Sequence, residues 1–334
     1  MKNPSGKGST IQSLLEQAHK DFRNVGEGEV ATYIPELSKA NPDHFGICVA
    51  TVEGEIFEVG DCDQEFTMQS ISKILVYALA LSLHGEKDVS LHVGVEPSGD
   101  AFNSIQLDKK NRAFNPMVNA GAITTTAFVH GATFESRWAK ILDTLSAAAG
   151  RTLRMDEKVY QSESRTGHRN RALTWLVTNF NQIEATNNLE TLELYFMQCS
   201  ILVTARDLAV MGATLANMGT NPLTGKNVFD VQCIQATLSV MFTCGMYDFA
   251  GEWAFRVGIP AKSGVSGGIL GVVNRQIGIG TFSPRIDEKG NSSRGIQVFQ
   301  YLSEELGLHT FNFMNHGSSF LTGLSGVESS VPQR

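Results

Sequence analysis

The segment QSISKILVYALALSL, residues 69–83, places Ser70 and Lys73 where a polar stretch ending in Thr67-Met68-Gln69 gives way to an unbroken apolar run. A polar-to-apolar switch of this kind reads as the start of a helix. At a separation of three residues on a helix, Ser70 and Lys73 project from one face, within reach of each other. The run from Ile74 to Leu83 is about half the length a membrane-spanning helix needs, so it belongs in a core.

A serine hydroxyl is a weak nucleophile at neutral pH unless a base takes its proton. A lysine serves when burial or nearby positive charge lowers its pKa. The N-terminal end of a helix adds a positive field and free N–H groups that point toward a developing oxyanion. Taken alone, S-x-x-K also fits a serine that caps the helix and a lysine in water, because so short a pattern recurs by chance.

A second element lies about 190 residues further on. Lys262-Ser263-Gly264 has the form of the K-[ST]-G strand that faces the nucleophile in penicillin-recognising serine enzymes. A strand there lines a groove and offers a backbone N–H from about Val265 as a second oxyanion donor; an ordinary strand-end turn reads the same way. The S-x-N or Y-x-N element that those enzymes carry between the two motifs is absent here, which weighs against a β-lactamase or transpeptidase.

Outward from these motifs, Ile11, Leu14, Leu15, Ala18 and Phe22 recur at helical spacing within residues 9–25 and predict a packing helix. GICVATVEG and EIFEVG predict a hairpin about Glu53-Gly54. FRVGIPAKSG, GGILGVVNR and QIGIGTFSP predict further strands that join it. Between the two β regions the pattern is almost wholly helical, as in SRWAKILDTLSAAAG and ARDLAVMGATLANMG, which run into glycine. The expected architecture is of the α+β type, a mixed or antiparallel sheet flanked by helices plus an inserted all-helical domain. Its expected boundaries are 1–69 and 246–310 for the sheet domain, 70–245 for the helical domain and 311–334 for a C-terminal tail.

The 334 residues are 42% apolar and 18% charged, which is the composition of a folded globule. The net charge of −7 gives no attraction for nucleic acid or an anionic membrane. Cys48, Cys62, Cys199, Cys233 and Cys244 contain no C-x-x-C pair and form an odd set, which argues against a disulfide framework and for a reducing cytoplasm. MKNPSGKGST lacks an apolar core of the secretory type, so no signal or anchor is expected. The eight histidines show no H-x-x-x-H spacing, and neither phosphate-binding glycine pattern is present, so no metal and no cofactor are expected.

TYIPELSKANP, MQSISK, NPMVNAGAI, SESRTGHRNRA, YFMQCS, CGMYDFAGEWAF and GIPAKSGVSGGI closely resemble the glutaminase family, which shares the serine β-lactamase and penicillin-binding-protein-like fold. The resemblance runs in order from about residue 10 to 310. It implies hydrolysis of L-glutamine to L-glutamate and ammonia through an acyl-enzyme on Ser70, with Lys73 as base partner. It further implies that Tyr247 hydrogen-bonds the serine and assists proton transfer, and that the Val265 N–H joins the oxyanion hole. Substrate binding falls by the same resemblance on Tyr33, Gln69, Asn119, Glu163, Asn170 and Tyr195, with Ser70, Tyr247 and Val265. Relatives assemble as homodimers or homotetramers, which is the expectation here.

That polar set suits free glutamine, a zwitterion whose ammonium needs a carboxylate such as Glu163 and whose carboxylate needs neutral donors such as Asn119 and Tyr33. Each residue also has a plainer use: Asn119 and Asn170 as loop caps, Glu163 paired with Arg165 or Arg169, Tyr33 and Tyr195 as half-buried packing. Two other functions stay open on sequence grounds. One is a β-lactamase or esterase-like serine hydrolase; the other is a non-catalytic amino-acid-binding homologue.

Overall fold

The computed structural model describes residues 11–99 and 104–312. Helix α1 (Ile11–Phe22) leads through a short strand, β1 (Glu29–Val30), to the hairpin of β2 (Gly46–Thr51) and β3 (Ile56–Gly60). Strand β4 (Phe66–Thr67) is followed by a 3-10 turn at Gln69–Ile71 and the long α2 (Ser72–His92). The chain continues through α3 (Asn119–Ala127), α4 (Phe134–Ala149), β5 (Arg154–Met155), α5 (Glu157–Thr166), α6 (His168–Asn179) and α7 (Asn188–Cys199). Next come β6 (Ile201–Val203), α8 (Ala205–Ala216) and α9 (Val231–Cys244). A 3-10 turn at Tyr247–Phe249 precedes α10 (Ala250–Arg256), β7 (Ala261–Ser263), β8 (Gly268–Val273), β9 (Ile277–Phe282), β10 (Arg285–Ile286) and α11 (Ser293–Leu306).

The main sheet has the order β3-β2-β9-β8-β7, and every neighbouring pair is antiparallel. The early hairpin therefore joins the late strands through β2 and β9, with Cys48 opposite Gly280 and Ala50 opposite Gly278. Both faces are covered, so β2, β8 and β9 are buried throughout and read as near-continuous apolar runs. Ile47, Val49, Ile269 and Ile279 point to one face, where they pack with Leu15 and Ala18 of α1 and Phe299 and Leu302 of α11. Cys48, Ala50, Leu270 and Val272 point to the other, against α8 and α2. This two-residue alternation is what the pleat dictates.

Helix α8 lies directly on β9 because β9 turns glycines toward it. A Cβ on Gly278 would sit 2.1 Å from the Ala209 carbonyl oxygen, and one on Gly280 would sit 2.1 Å from that of Ala205. The glycines in QIGIGTFSP thus set the distance between helix and sheet.

Two expectations need correction. The span 70–245 is not wholly helical, since β5 and β6 form a three-stranded sheet with β4. These strands are two or three residues long, too short for a period to register. The Phe255-Arg256 part of FRVGIPAKSG, expected to be strand, ends α10, where Trp253 is buried and Arg256 pairs with Glu252 one turn earlier at 3.0 Å. The strand begins only at Ala261. Most of the expected tail, residues 313–334, lies outside the described residues.

Candidate active site

Ser70 sits in the 3-10 turn that feeds α2, one residue after Gln69, whose φ is +49°. The helix proper starts at Ser72, two residues later than the expected start. A left-handed φ is unfavourable for a residue with a Cβ, and such strain persists where surroundings over-determine it. Tyr247, at φ +56°, is a second case, and its phenol is hydrogen-bonded to Ser70. The two strained residues therefore flank one hydroxyl.

Lys73, one turn along from Ser70, has no exposed surface. Its Nζ donates to Asn119 Oδ1 at 2.6 Å and to the Met117 carbonyl at 3.2 Å. Burial destabilises the ammonium and pushes its pKa down to about 8, against an opposing pull from Glu163. The cost of burying this amine is offset by the run that follows it. Ile74, Leu75, Val76 and Leu79 are all buried, each worth about 1.5–3 kcal/mol relative to exposure.

Asn119 begins α3, and its side-chain amide donates onward to Asn170 Oδ1 at 2.9 Å. Glu163, from α5, is 7% exposed. Burial pushes its carboxyl up to about 8, while Lys73 and a hydrogen bond from Gln69 act the other way. Its Oε2 is buried with no hydrogen-bond partner. Among the described residues no ion pair joins it to Arg165 or Arg169; it points inward instead. Tyr195 is buried on α7, and burial raises its phenol, with Cys199 and Glu163 adding to the effect. Tyr33 is 54% exposed overall, yet its phenol pKa is raised, chiefly by burial and further by Glu163 and Tyr247, which puts it at the mouth with its ring end inside.

Val265 follows β7 and packs with Ile34 beside Tyr247. The Gly264 before it sits close to that turn: a Cβ there would crowd the Met68 carbonyl oxygen at 3.0 Å and Ile71 Cγ1 at 3.1 Å. The end of β7 is thereby pressed against the Ser70 turn. Among the described residues, neither the Ser70 nor the Val265 amide donates to a backbone carbonyl. A cleft lined by Tyr33, Val265 and residues 286–290 opens beside them. A wide groove lined by Ile234, Leu238, Phe242 and Leu308 lies elsewhere and contains none of these residues.

All ten candidate site residues thus converge on one place. Three neighbours lie outside that set: Lys262, which the sequence marks only as the first residue of the K-[ST]-G strand, and Cys199 and Ser72, which it does not single out. Lys262 is fully buried, donates to the carbonyls of Gly245 (3.0 Å) and Ser263 (2.6 Å), and lies 4.1 Å from the centre of the Tyr247 ring. Burial and the nearby Lys73 charge hold its pKa well below the ordinary lysine value. Cys199 touches Tyr195 and Ser72 through hydrogen bonds, and burial raises its thiol. Ser72 donates to the Gln69 carbonyl at 2.9 Å. The only sequence signal for Cys199 is its position four residues after Tyr195, one turn along the same face.

Among the described residues no group of three or more His, Cys, Asp or Glu side chains is placed to hold a metal. No helix among them is long and apolar enough to cross a membrane. The five cysteines are all buried and free.

Comparison with known proteins gives one answer throughout. The family profile described as Glutaminase matches residues 28–311. A glutaminase of Microcystis aeruginosa is 52% identical over 317 residues, covering 95% of this chain and 94% of its own. One from Corynebacterium glutamicum is 48% identical over 301 residues, covering 90% and 73%. The structure of a probable glutaminase from Bacillus subtilis, complexed with 6-diazo-5-oxo-L-norleucine, superposes with a TM-score of 0.83 at 34% identity, over 93% of this chain and 100% of that one.

Proposed function

The chain belongs to the glutaminase family and is a glutamine amidohydrolase, and from that premise we propose that it hydrolyses L-glutamine through an acyl-enzyme on Ser70. Ser70 Oγ attacks the side-chain amide carbon, and its proton passes to neutral Lys73. A tetrahedral oxyanion forms and is held by the Ser70 and Val265 amides. The C–N bond then breaks, the nitrogen takes the proton and ammonia leaves. Water attacks the ester, and glutamate is released.

The observation that carries this reading is the meeting of a buried amine and a phenol at Ser70. A neutral lysine has two N–H bonds and one lone pair. Lys73 donates to Asn119 Oδ1 and to the Met117 carbonyl, and its neutral form keeps a lone pair able to take the Ser70 proton. Tyr247 donates to the Ser263 carbonyl at 3.0 Å, and its oxygen accepts a hydrogen bond from the Ser70 hydroxyl, which orients the proton that passes to Lys73. Lys262, whose pKa burial and the Lys73 charge hold well below the ordinary lysine value, packs 4.1 Å from the centre of the Tyr247 ring and helps to fix it.

Glu163 supports the assignment to free amino acids. A buried carboxylate oxygen without a hydrogen-bond partner is a site for an α-ammonium. Asn170, Tyr195 and Tyr33 then face the α-carboxylate, and Gln69 lies against both Glu163 and the nucleophile. We further infer a homodimer or homotetramer in the cytoplasm. Trp175 (55% exposed) and Leu189 (54%) on neighbouring helices favour self-association, and five buried free thiols suit a reducing compartment.

The test is ammonia release from L-glutamine by wild type and Ser70→Ala. Loss of turnover in a folded variant is expected. Turnover near the wild-type rate would remove Ser70 from the mechanism.

A further inference from the structure

We propose that Ser72, steadied by Gln198 and Cys199, is a positioning residue that aims Ser70 by anchoring the carbonyl of the strained Gln69. The inference rests on the reading of Ser70 as nucleophile. It concerns what keeps that hydroxyl in place.

Gln69 holds a left-handed φ of +49° without being glycine, so something must prevent the turn from relaxing. Its side chain bonds Thr67 Oγ1 at 3.3 Å and Glu163. Its carbonyl takes two bonds from a single residue: the Ser72 backbone N–H and the Ser72 hydroxyl at 2.9 Å. Ser72 has no exposed surface. Water therefore cannot replace the hydroxyl.

With its one hydrogen committed to Gln69, Ser72 Oγ can only accept from its other neighbours. Gln198 Nε2 approaches it at 3.4 Å, and the Cys199 thiol lies against it. Thr126 Oγ1, which shares its hydrogen between the Ala122 carbonyl and Gln198 Oε1 at 2.9 and 3.1 Å, fixes the orientation of that amide. Gln198 and Thr126 are also fully buried. Tyr195, Gln198 and Cys199 share one face of α7 through three- and four-residue spacing, so the helix that carries Tyr195 into the pocket also grips the Ser70 turn. Nucleophile and substrate-binding tyrosine are linked through Ser72.

Loss of the anchor lets the turn relax while Lys73, Asn119 and the pocket remain in place. A displacement of the nucleophile by roughly 1 Å costs up to about 100-fold in rate. The experiment measures kcat and KM for glutamine, pH–rate profiles and melting temperatures for Ser72→Ala, Gln198→Met and the double variant, with Ser70→Ala alongside. For Ser72→Ala the expected result is a fall in kcat of about 10- to 100-fold, with KM within about twofold and the acid limb of the profile unmoved. Gln198→Met should lose about three- to tenfold in kcat, and the double variant should be no worse than Ser72→Ala, because the two act on one link. Unchanged kcat in Ser72→Ala, a KM that rises in step with the loss, or multiplying losses in the double variant would each overturn the proposal. If Ser72→Ala does not fold, the kcat and KM of Gln198→Met decide by the same criteria. Activity in Ser70→Ala would instead defeat the underlying mechanism, so the two failures are distinct.

Discussion

Lys73 Nζ and Asn119 Oδ1 lie 2.6 Å apart, both buried, and the far side of the Asn119 amide is tied to Asn170. A neutral acceptor in this position orients the amine without favouring its protonated form. Asn119→Asp should therefore raise the Lys73 pKa and move the acid limb of kcat/KM to higher pH by about one unit or more. A pH–rate profile between pH 6 and 10 measures it. A limb that stays in place would mean that Lys73 is not the titrating base.

In the wild type, Lys73 is pushed down to about 8 and Glu163 up to about 8, in both cases chiefly by burial. Attack needs the amine neutral, and substrate binding needs the carboxyl ionised, so both requirements are met as pH rises. Activity should climb from neutral pH and level off above about 8, well short of the ordinary lysine range near 10.4. As the two groups interact, the profile reports the pair. Activity that falls steadily from pH 6 to 9 would contradict this assignment.

Ser70→Ala and Lys73→Ala should each reduce turnover by orders of magnitude, and the double variant should lose about as much as the worse single one. Steady-state ammonia release gives all three values. Losses that multiply would show that the two residues serve separate steps.

Glu163→Gln keeps the size of the side chain and removes its charge. Losing a charge-assisted bond to the substrate ammonium should lower kcat/KM by about ten- to a hundredfold. The preference for glutamine over N-acetylglutamine should shrink as well. Because the Glu163 carboxylate raises the Lys73 pKa, the acid limb should move to lower pH. Unchanged efficiency with glutamine would return Glu163 to a purely structural role.

Gly280→Ala tests the seating of α8 on the sheet. The added methyl meets the Ala205 carbonyl oxygen at 2.1 Å, and overpacking of this kind costs about 1–3 kcal/mol. The melting temperature should drop by several degrees. A wild-type melting temperature would mean that α8 can shift at little cost.

The hairpin of β2 and β3 was legible because two short β-branched runs flank a Glu-Gly turn, and the Ser70–Lys73 pair because helical spacing makes it a pair. Strands β5 and β6 were not, since Arg154–Met155 and Ile201–Val203 acquire their character only by pairing with each other and with β4. Phe255, Val257 and Ile259 carry strand-like propensity, but the burial of Trp253 settles the Phe255-Arg256 part as helix. In the site, the Met117 carbonyl that holds Lys73 has no side-chain signature at all. Ser72 and Gln198 were hidden for another reason: within an apolar helix a small or amide side chain reads as filler, and only the fold reveals which backbone group it meets.

The pairing of β2 with β9 also sets a schedule for synthesis. The inner edge of β2 receives its partner only when residues 277–282 have been made, about 220 residues after the hairpin. At ribosomal rates of roughly 5–20 residues per second this is an interval of about 10 to 45 seconds. Throughout it, Ile47 and Val49 stand on an unpaired, apolar edge of the kind that recruits other strands. The nascent chain, more than the finished enzyme, is where this fold is exposed to aggregation, and slowing translation between the hairpin and β9 should lower the yield of native protein without any change in its sequence.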